Sequence, residues 1–211
     1  MEELEALLKQ YNLEHLEDLC MSPWSRQYCR IPFPKYWHIV YEIMDAIDRD
    51  NRVIEIGCGQ GDVTTIFCHL GFQSVTSFEK VQALATSAKR RISDLFGRSG
   101  VVIQGLFPER EVSACDVLVL VNCAYKDLAD SKEEYKQLMM DYYASAGHPH
   151  YFLMEVIDSS YTQYDEEFPD YIRLSHEDVE EMFPSFMIQS WPTYTFPENK
   201  KSKTLYLIEK A

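Results

Sequence analysis

The chain has 211 residues, is 46% hydrophobic and carries a net charge of −14. That length and apolar content suffice for one well-packed core, while the acidity disfavours partners built on a phosphate backbone. No stretch approaches the roughly 18 apolar residues of a membrane span, and the acidic start Met1-Glu2-Glu3-Leu4-Glu5 is unlike a signal peptide, so a cytoplasmic protein is expected.

Residues 2–18 set Leu4, Leu7, Leu8, Tyr11, Leu13 and Leu16 among acids at near-helical spacing, which predicts an amphipathic helix. The stretch 22–38 is dense in aromatics, arginines and prolines, and the prolines forbid a continuous helix. Its rings either pack an irregular segment onto the core or form a lid over a binding pocket, with Trp24, Tyr28 and Arg30 facing the bound molecule. Tyr36, Ile39, Val40, Ile43, Met44 and Ile47 then predict a helix over 36–47. The expected organisation is an N-terminal helical extension, residues 1–49, followed by one domain, residues 50–211.

Val53-Ile54-Glu55-Ile56 is an apolar run rich in β-branched residues. Gly57-Cys58-Gly59-Gln60-Gly61-Asp62 follows, with glycine at alternate positions, and a helical pattern begins at Val63. This reads as a strand, a tight turn and a helix start whose N–H groups face a ligand. Glycine turns also join strands to helices for structural reasons alone. The next unit, however, ends in Ser74-Val75-Thr76-Ser77-Phe78-Glu79, a strand closing on an acid. In a βαβ unit an acid at that distance sits at the tip of the second strand and accepts hydrogen bonds from ribose hydroxyls. A dinucleotide fingerprint fits poorly: the third glycine comes one residue early, at Gly61, Asp62 stands where that pattern has glycine, and Glu55 also points away from it.

Glu55-Ile56-Gly57-Cys58-Gly59-Gln60-Gly61 resembles the first motif, E/D-x-G-x-G-x-G, of the class I S-adenosylmethionine-dependent methyltransferases. Glu79 is similar to the acid that holds the adenosine ribose in that family, and the resemblance runs from residue 50 to the end. It implies S-adenosyl-L-methionine as cofactor, held by Glu55, Gly57, Cys58, Gly59, Gly61, Glu79 and Lys80. It also implies methylation of a small molecule, since such enzymes often close their pocket with an N-terminal extension.

Val81 to Phe96 predicts a helix with Ala83, Ala85, Ala88, Ile92 and Leu95 inward and Lys89, Arg90 and Arg91 outward. A third strand, 101–104, ends at Gly105-Leu106. Many family members have an acid there for the adenine amino group; Leu106 in its place implies backbone groups of Gly105 and Leu106 with apolar packing. Residues 116–121 read as a strand buried on both faces. It ends at Asn122-Cys123-Ala124-Tyr125, similar to the (D/N)-P-P-Y motif of amino methyltransferases but with both prolines missing. The end of such a strand lines the ligand crevice, which makes Asn122 a cofactor-binding candidate and Tyr125 a catalytic one.

A charged helix over 131–145 leads to a fifth strand, 151–157. His148 and His150 flank Pro149, a spacing that reads as a surface loop or as an incomplete metal site, and no metal is expected. Residues 158–171 mix acids and tyrosines without lysine or arginine. They read as solvated charge or as a specificity loop drawing an amine-bearing molecule, in which Asp158 orients or deprotonates the nucleophile and Tyr161 contacts substrate. Ser175 with Asp178 three residues on is a capping box. Two strands, 186–191 and 204–208, close the chain, with Lys200, Lys201 and Lys203 in the turn between them. This cluster and Lys89-Arg90-Arg91 read as solvated faces. The six cysteines lack C-x-x-C pairing, and Cys58, Cys68 and Cys115 fall where buried free thiols would.

The expected fold is α/β, a Rossmann-like seven-stranded mostly parallel sheet with an antiparallel C-terminal strand and helices on both faces, complete and without inserted domains. The expected function is methyl transfer from S-adenosylmethionine to a small molecule, an amine or an amino-acid-like compound whose carboxylate Arg26 and Arg30 would hold. Two alternatives stay open. One is an N-methyltransferase acting on a nucleic acid or protein nitrogen, carried by Asn122 and Tyr125; the other is a non-catalytic cofactor-binding scaffold.

Overall fold

The structure, a computed structural model, describes residues 1–16, 33–108, 114–123, 126–162, 164, 166, 168–194 and 202–211. The chain divides into two units, Met1–Leu106 and Phe107–Ala211.

The first unit runs α1 (Glu2–Glu14), α2 (Lys35–Ala46), β1 (Val53–Ile56), α3 (Thr64–Leu70), β2 (Val75–Glu79), α4 (Gln82–Phe96) and β3 (Val102–Gln104). β1 pairs in parallel with β2 from Val53 opposite Val75 to Ile56 opposite Phe78, and β2 pairs in parallel with β3. This register brings the residues just after β1 level with Glu79 at the tip of β2. All four residues of β1 are buried, the burial of a strand covered on both faces. Trp37, Val40, Met44, Ile66, Phe67 and Phe72 are wholly buried, each contributing about 1.5–3 kcal/mol.

Two helices differ from their predicted faces. α1 ends at Glu14, short of the predicted residue 18, and buries Leu4, Leu8, Tyr11 and Asn12, while Leu13 is 53% exposed. Positions 4, 8, 11 and 12 share one helical stripe, which turns position 13 away. In α4, Ala83 is exposed and Arg91, expected outward, is buried beside Ala88 and Ile92. Positions 85, 88, 91 and 92 form the inward stripe, and an arginine is tolerated there because carboxylate, carbonyl and amide oxygens meet it.

The second unit runs β4 (Val117–Leu120), α5 (Lys132–Ser145), β5 (Tyr151–Asp158), β6 (Arg173–Leu174), α6 (His176–Met182), β7 (Phe186–Tyr194) and β8 (Ser202–Lys210). β4 and β6 lie parallel to β5, and β8 runs antiparallel to both β5 and β7. The fold class is α/β and Rossmann-like, with mostly parallel strands and antiparallel C-terminal pairing, as the sequence predicts. Among the described residues there are eight strands rather than seven; the addition is β6, whose two residues are too short to show a period.

Tyr143 of α5 packs its ring 5.4–6.2 Å from those of Phe152, Phe183 and Phe186, joining α5 to β5 and to the end of α6 and start of β7. Ser175 and Asp178 form the predicted capping box at the start of α6. The C-terminal lysines differ from expectation: Lys203 lies within β8 opposite Ile157 and Thr193 and is buried, while Lys200 and Lys201 lie outside the described residues. Cys58, Cys68 and Cys115 are buried. Among the described residues no helix is long and apolar enough to cross a membrane, and no group of three or more His, Cys, Asp or Glu side chains converges on a metal-sized site.

Candidate functional site

The turn after β1 is built from backbone. Gly57 and Cys58 both donate their N–H to the Phe78 carbonyl, at 2.8 and 2.9 Å, and Gly61 donates to the Cys58 carbonyl at 2.7 Å. Gly59 and Gly61 have φ of +56° and +80°, values that a side chain would strain. A Cβ on Gly59 would meet nothing within 4 Å, so the turn is open on that side. Glu79, 6% exposed, accepts the Gly59 N–H on one carboxylate oxygen and the Val81 N–H on the other, each at 2.8 Å.

Beneath the turn lies Glu55. Its carboxylate is wholly buried and accepts hydrogen bonds from the hydroxyls of Thr64 at 2.5 Å and Ser77 at 2.7 Å. Burial pushes this carboxyl up to about 7, opposed by the Thr64 and Ser77 hydrogen bonds and assisted by the charges of Asp62 and Glu79. The motif's acid thus ties β1, β2 and the first turn of α3 together from below. At the far end of the turn, Arg91 donates to the Gln60 carbonyl at 3.2 Å and to the Asp62 carboxylate at 2.5 Å.

In the second unit a different polar group gathers at the strand ends. Asn122, just past β4, has a left-handed φ of +56° and donates its N–H to Glu155 at 3.1 Å. Its side-chain oxygen accepts from Lys203 Nζ at 2.6 Å, and Lys203 lies 3.9 Å from Glu155, both side chains buried. Thr193 donates to the other Glu155 oxygen at 2.6 Å. At the end of β5, Asp158 accepts from the Thr204 hydroxyl at 2.6 Å and the Ser160 N–H at 2.8 Å. Burial pushes the Asp158 carboxyl up, but these hydrogen bonds together outweigh it and hold the group below its ordinary value. A carboxylate held ionised in this way orients a partner or pairs with a cation more readily than it takes a proton.

The remaining predicted residues fall in several places. Lys80 is exposed next to Glu79. Gly105 commits its N–H to the Glu79 carbonyl at 3.0 Å, which removes that donor from the expected adenine contacts, whereas Leu106 is 40% exposed. Tyr161, expected to face substrate, is instead 8% exposed with the Arg173 guanidinium 4.8 Å above its ring and Phe168 against it. Arg173, just beyond the lysine- and arginine-free stretch, folds back onto Tyr161 and covers it. Trp24, Tyr28, Arg30 and Tyr125 lie outside the described residues, as does Arg26. His148 and His150 are exposed; His148 packs edge-on to Tyr143, and His150 lies 3.6 Å from Glu209. Sequence reasoning missed Arg91, Glu155, Thr193 and Lys203, none of which belongs to a local motif.

The chain is similar in fold to solved S-adenosylmethionine-dependent methyltransferases. Magnesium protoporphyrin IX methyltransferase (ChlM) from Synechocystis PCC 6803, with bound SAM, matches at a TM-score of 0.63 and 9% identity over 98% of this chain and 97% of that one. A SAM-dependent methyltransferase from Clostridium acetobutylicum ATCC 824 matches at 0.60 and 11% identity over 83% and 90%. Cofactor-bound Rv0187 from MTB matches at 0.58 and 15% identity over 86% and 84%. At these identities the likeness establishes the fold. No protein-family model and no curated protein matches the chain.

Proposed function

We propose that the protein is a methyltransferase that uses S-adenosyl-L-methionine, held on the glycine turn with its ribose hydroxyls on Glu79. The observation that carries this reading is the Glu79 carboxylate, fixed at the tip of β2 by two backbone N–H groups. Each oxygen accepts one of these bonds, and a carboxylate oxygen accepts about two, so hydroxyl donors find acceptors already oriented.

Other residues of the first unit fit the same cofactor. The open side of Gly59 gives a ligand close approach to backbone. Val81 and Leu106, after β2 and β3, are 43% and 40% exposed and offer apolar surface to a purine. Gln60 Nε2 is buried with no hydrogen-bond partner among the described residues, a donor suited to a bound carboxylate. Glu55, Cys58 and Gly61 shape the turn rather than face outward. When bound, the cofactor supplies a methyl group on a sulfonium, which is already a good electrophile. The chain's part is to align the acceptor, exclude water and accommodate a proton.

The acceptor in this reading is a small amine or an amino-acid-like compound. The stretch after β5 presents acids and tyrosines to solvent, including the exposed Glu166 and Tyr164, the latter 90% exposed. Together with a net charge of −14, these attract cations and repel polyanions. Asn122 and Asp158 stand at the ends of β4 and β5, where an open parallel sheet binds its ligands. In this reading residues 1–49 serve as a lid, Trp24, Tyr28 and Arg30 bind the acceptor, and Tyr125 or Asp158 orients it. A cytoplasmic location completes the proposal.

The test is turnover. Purified protein with methyl-labelled cofactor is offered amines, amino acids, carboxylic acids, RNA and basic proteins in separate reactions. Label on an amine or amino acid supports the proposal. Label on RNA or protein moves the assignment to macromolecular N-methylation, and cofactor binding without transfer to any acceptor moves it to a scaffold.

A further inference from the structure

We infer that Arg91 is a positioning residue for the glycine turn, holding Gln60 and Asp62 in place and anchored in α1 by Asn12. The inference rests on the turn being the cofactor site.

Arg91 is 2% exposed on a helix face otherwise made of alanine and isoleucine. A buried guanidinium is costly unless its donors are met by well-placed acceptors. Here one terminal nitrogen donates to the Gln60 carbonyl and the Asp62 carboxylate, and the other donates to Asn12 Oδ1 at 2.8 Å, while Nε is buried with no hydrogen-bond partner among the described residues. The planar fork therefore spans from α1 to the turn, a geometry that lysine cannot reproduce. Tyr11 reinforces the joint. Its ring lies 5.9 Å from the Arg91 guanidinium carbon, and its hydroxyl donates to Asp94, one turn along α4, at 3.1 Å. α2 reaches the same point, since Trp37 Nε1 donates to the Asp62 carbonyl at 2.9 Å. α2 thus holds Asp62 directly, and α1 holds it through Arg91.

Packing alone explains less. An apolar side chain at position 91 would keep α1 against α4, but it could not hold the carbonyl between Gly59 and Gly61. Glycines on either side give that segment wide backbone freedom, and a turn that must present N–H groups to a ligand needs that freedom removed beforehand. Arg91 removes it without touching the ligand. Asn12, remote in sequence from the motif, thereby becomes a determinant of affinity.

Two readouts on the full chain test this. Arg91→Met, Arg91→Lys and Asn12→Ala are titrated with S-adenosylhomocysteine by calorimetry, and amide hydrogen exchange is followed without ligand. Arg91→Met is expected to weaken binding roughly 10- to 100-fold, as loss of an outer supporting partner does at other preorganised sites. Exchange at residues 59–62 should rise in parallel while β1 stays protected. Asn12→Ala, which leaves the Arg91–Asp62 pair intact, should do the same to a smaller degree, and Arg91→Lys should recover part of the loss. Should Arg91→Met fail to fold, Asn12→Ala decides. Binding within about twofold of wild type, with unchanged exchange at residues 59–62 and only a lower melting temperature, overturns the inference and leaves Arg91 a packing residue. If the wild type itself does not bind, the cofactor reading fails, and exchange at the turn alone decides the role of Arg91.

Discussion

The glycine turn and the polar cluster beside Asn122 both organise the ends of parallel strands, but with different materials. The turn uses main chain: five consecutive residues, Gly57 to Gly61, with one carboxylate from the tip of β2 accepting the Gly59 N–H. The cluster uses side chains from four separate strands or strand ends, and its bond from Lys203 to Asn122 closes 81 residues of sequence. A backbone device tolerates change wherever glycine φ and the single acid are kept. A side-chain device fails when any member is lost, because each leaves a buried partner without its counterpart.

The largest effect is therefore expected in the cluster. Lys203→Met strands the buried Glu155 charge and should destabilise the protein by about 3–5 kcal/mol in urea denaturation. Adding Glu155→Gln should restore most of that loss, and failure to do so would break the comparison.

Glu55 predicts a pH signature beneath the turn. Its folded value, about 7, lies above the ordinary 4.5, so the stability it permits is fully present below 4.5 and is lost as pH rises through 7. The shift corresponds to about 3 kcal/mol. Denaturation midpoints of Glu55→Gln should stay nearly level between those values while the wild type declines.

Gly59→Ala places a Cβ in open space but at φ +56°. It should cost about 1–2 kcal/mol of stability and more than that in cofactor affinity, which separates strain from steric blockade of a ligand. Ser175→Ala removes a helix cap and should cost about 1 kcal/mol.

The same contrast explains what was legible in the sequence. Glu55, the glycines and Glu79 lie within one βαβ unit, where spacing along the chain translates directly into spacing in the fold. The buried strands announced themselves by continuous apolar runs, and the cap on α6 by Ser175 with Asp178. Arg91 was hidden because it reads as the third of three surface cations, and only the Asp62 and Asn12 acceptors brought to it by tertiary packing make an inward arginine tolerable. Lys203 was hidden in the same way, its partners Asn122 and Glu155 lying in other strands. Tyr161 reads as part of an open acidic loop, yet Arg173 from the following strand covers it. Contacts of this kind leave no period in the sequence.

In the proposed function, Glu79, held by Gly59 and Val81, binds the ribose of S-adenosylmethionine. Calorimetric titration of the cofactor into wild type and Glu79→Ala tests it most directly. Micromolar binding by the wild type is expected, weakened in the variant by about 1–3 kcal/mol, the size of hydrogen bonds to a charged group. Equal binding by both proteins, or none by the wild type, would contradict it.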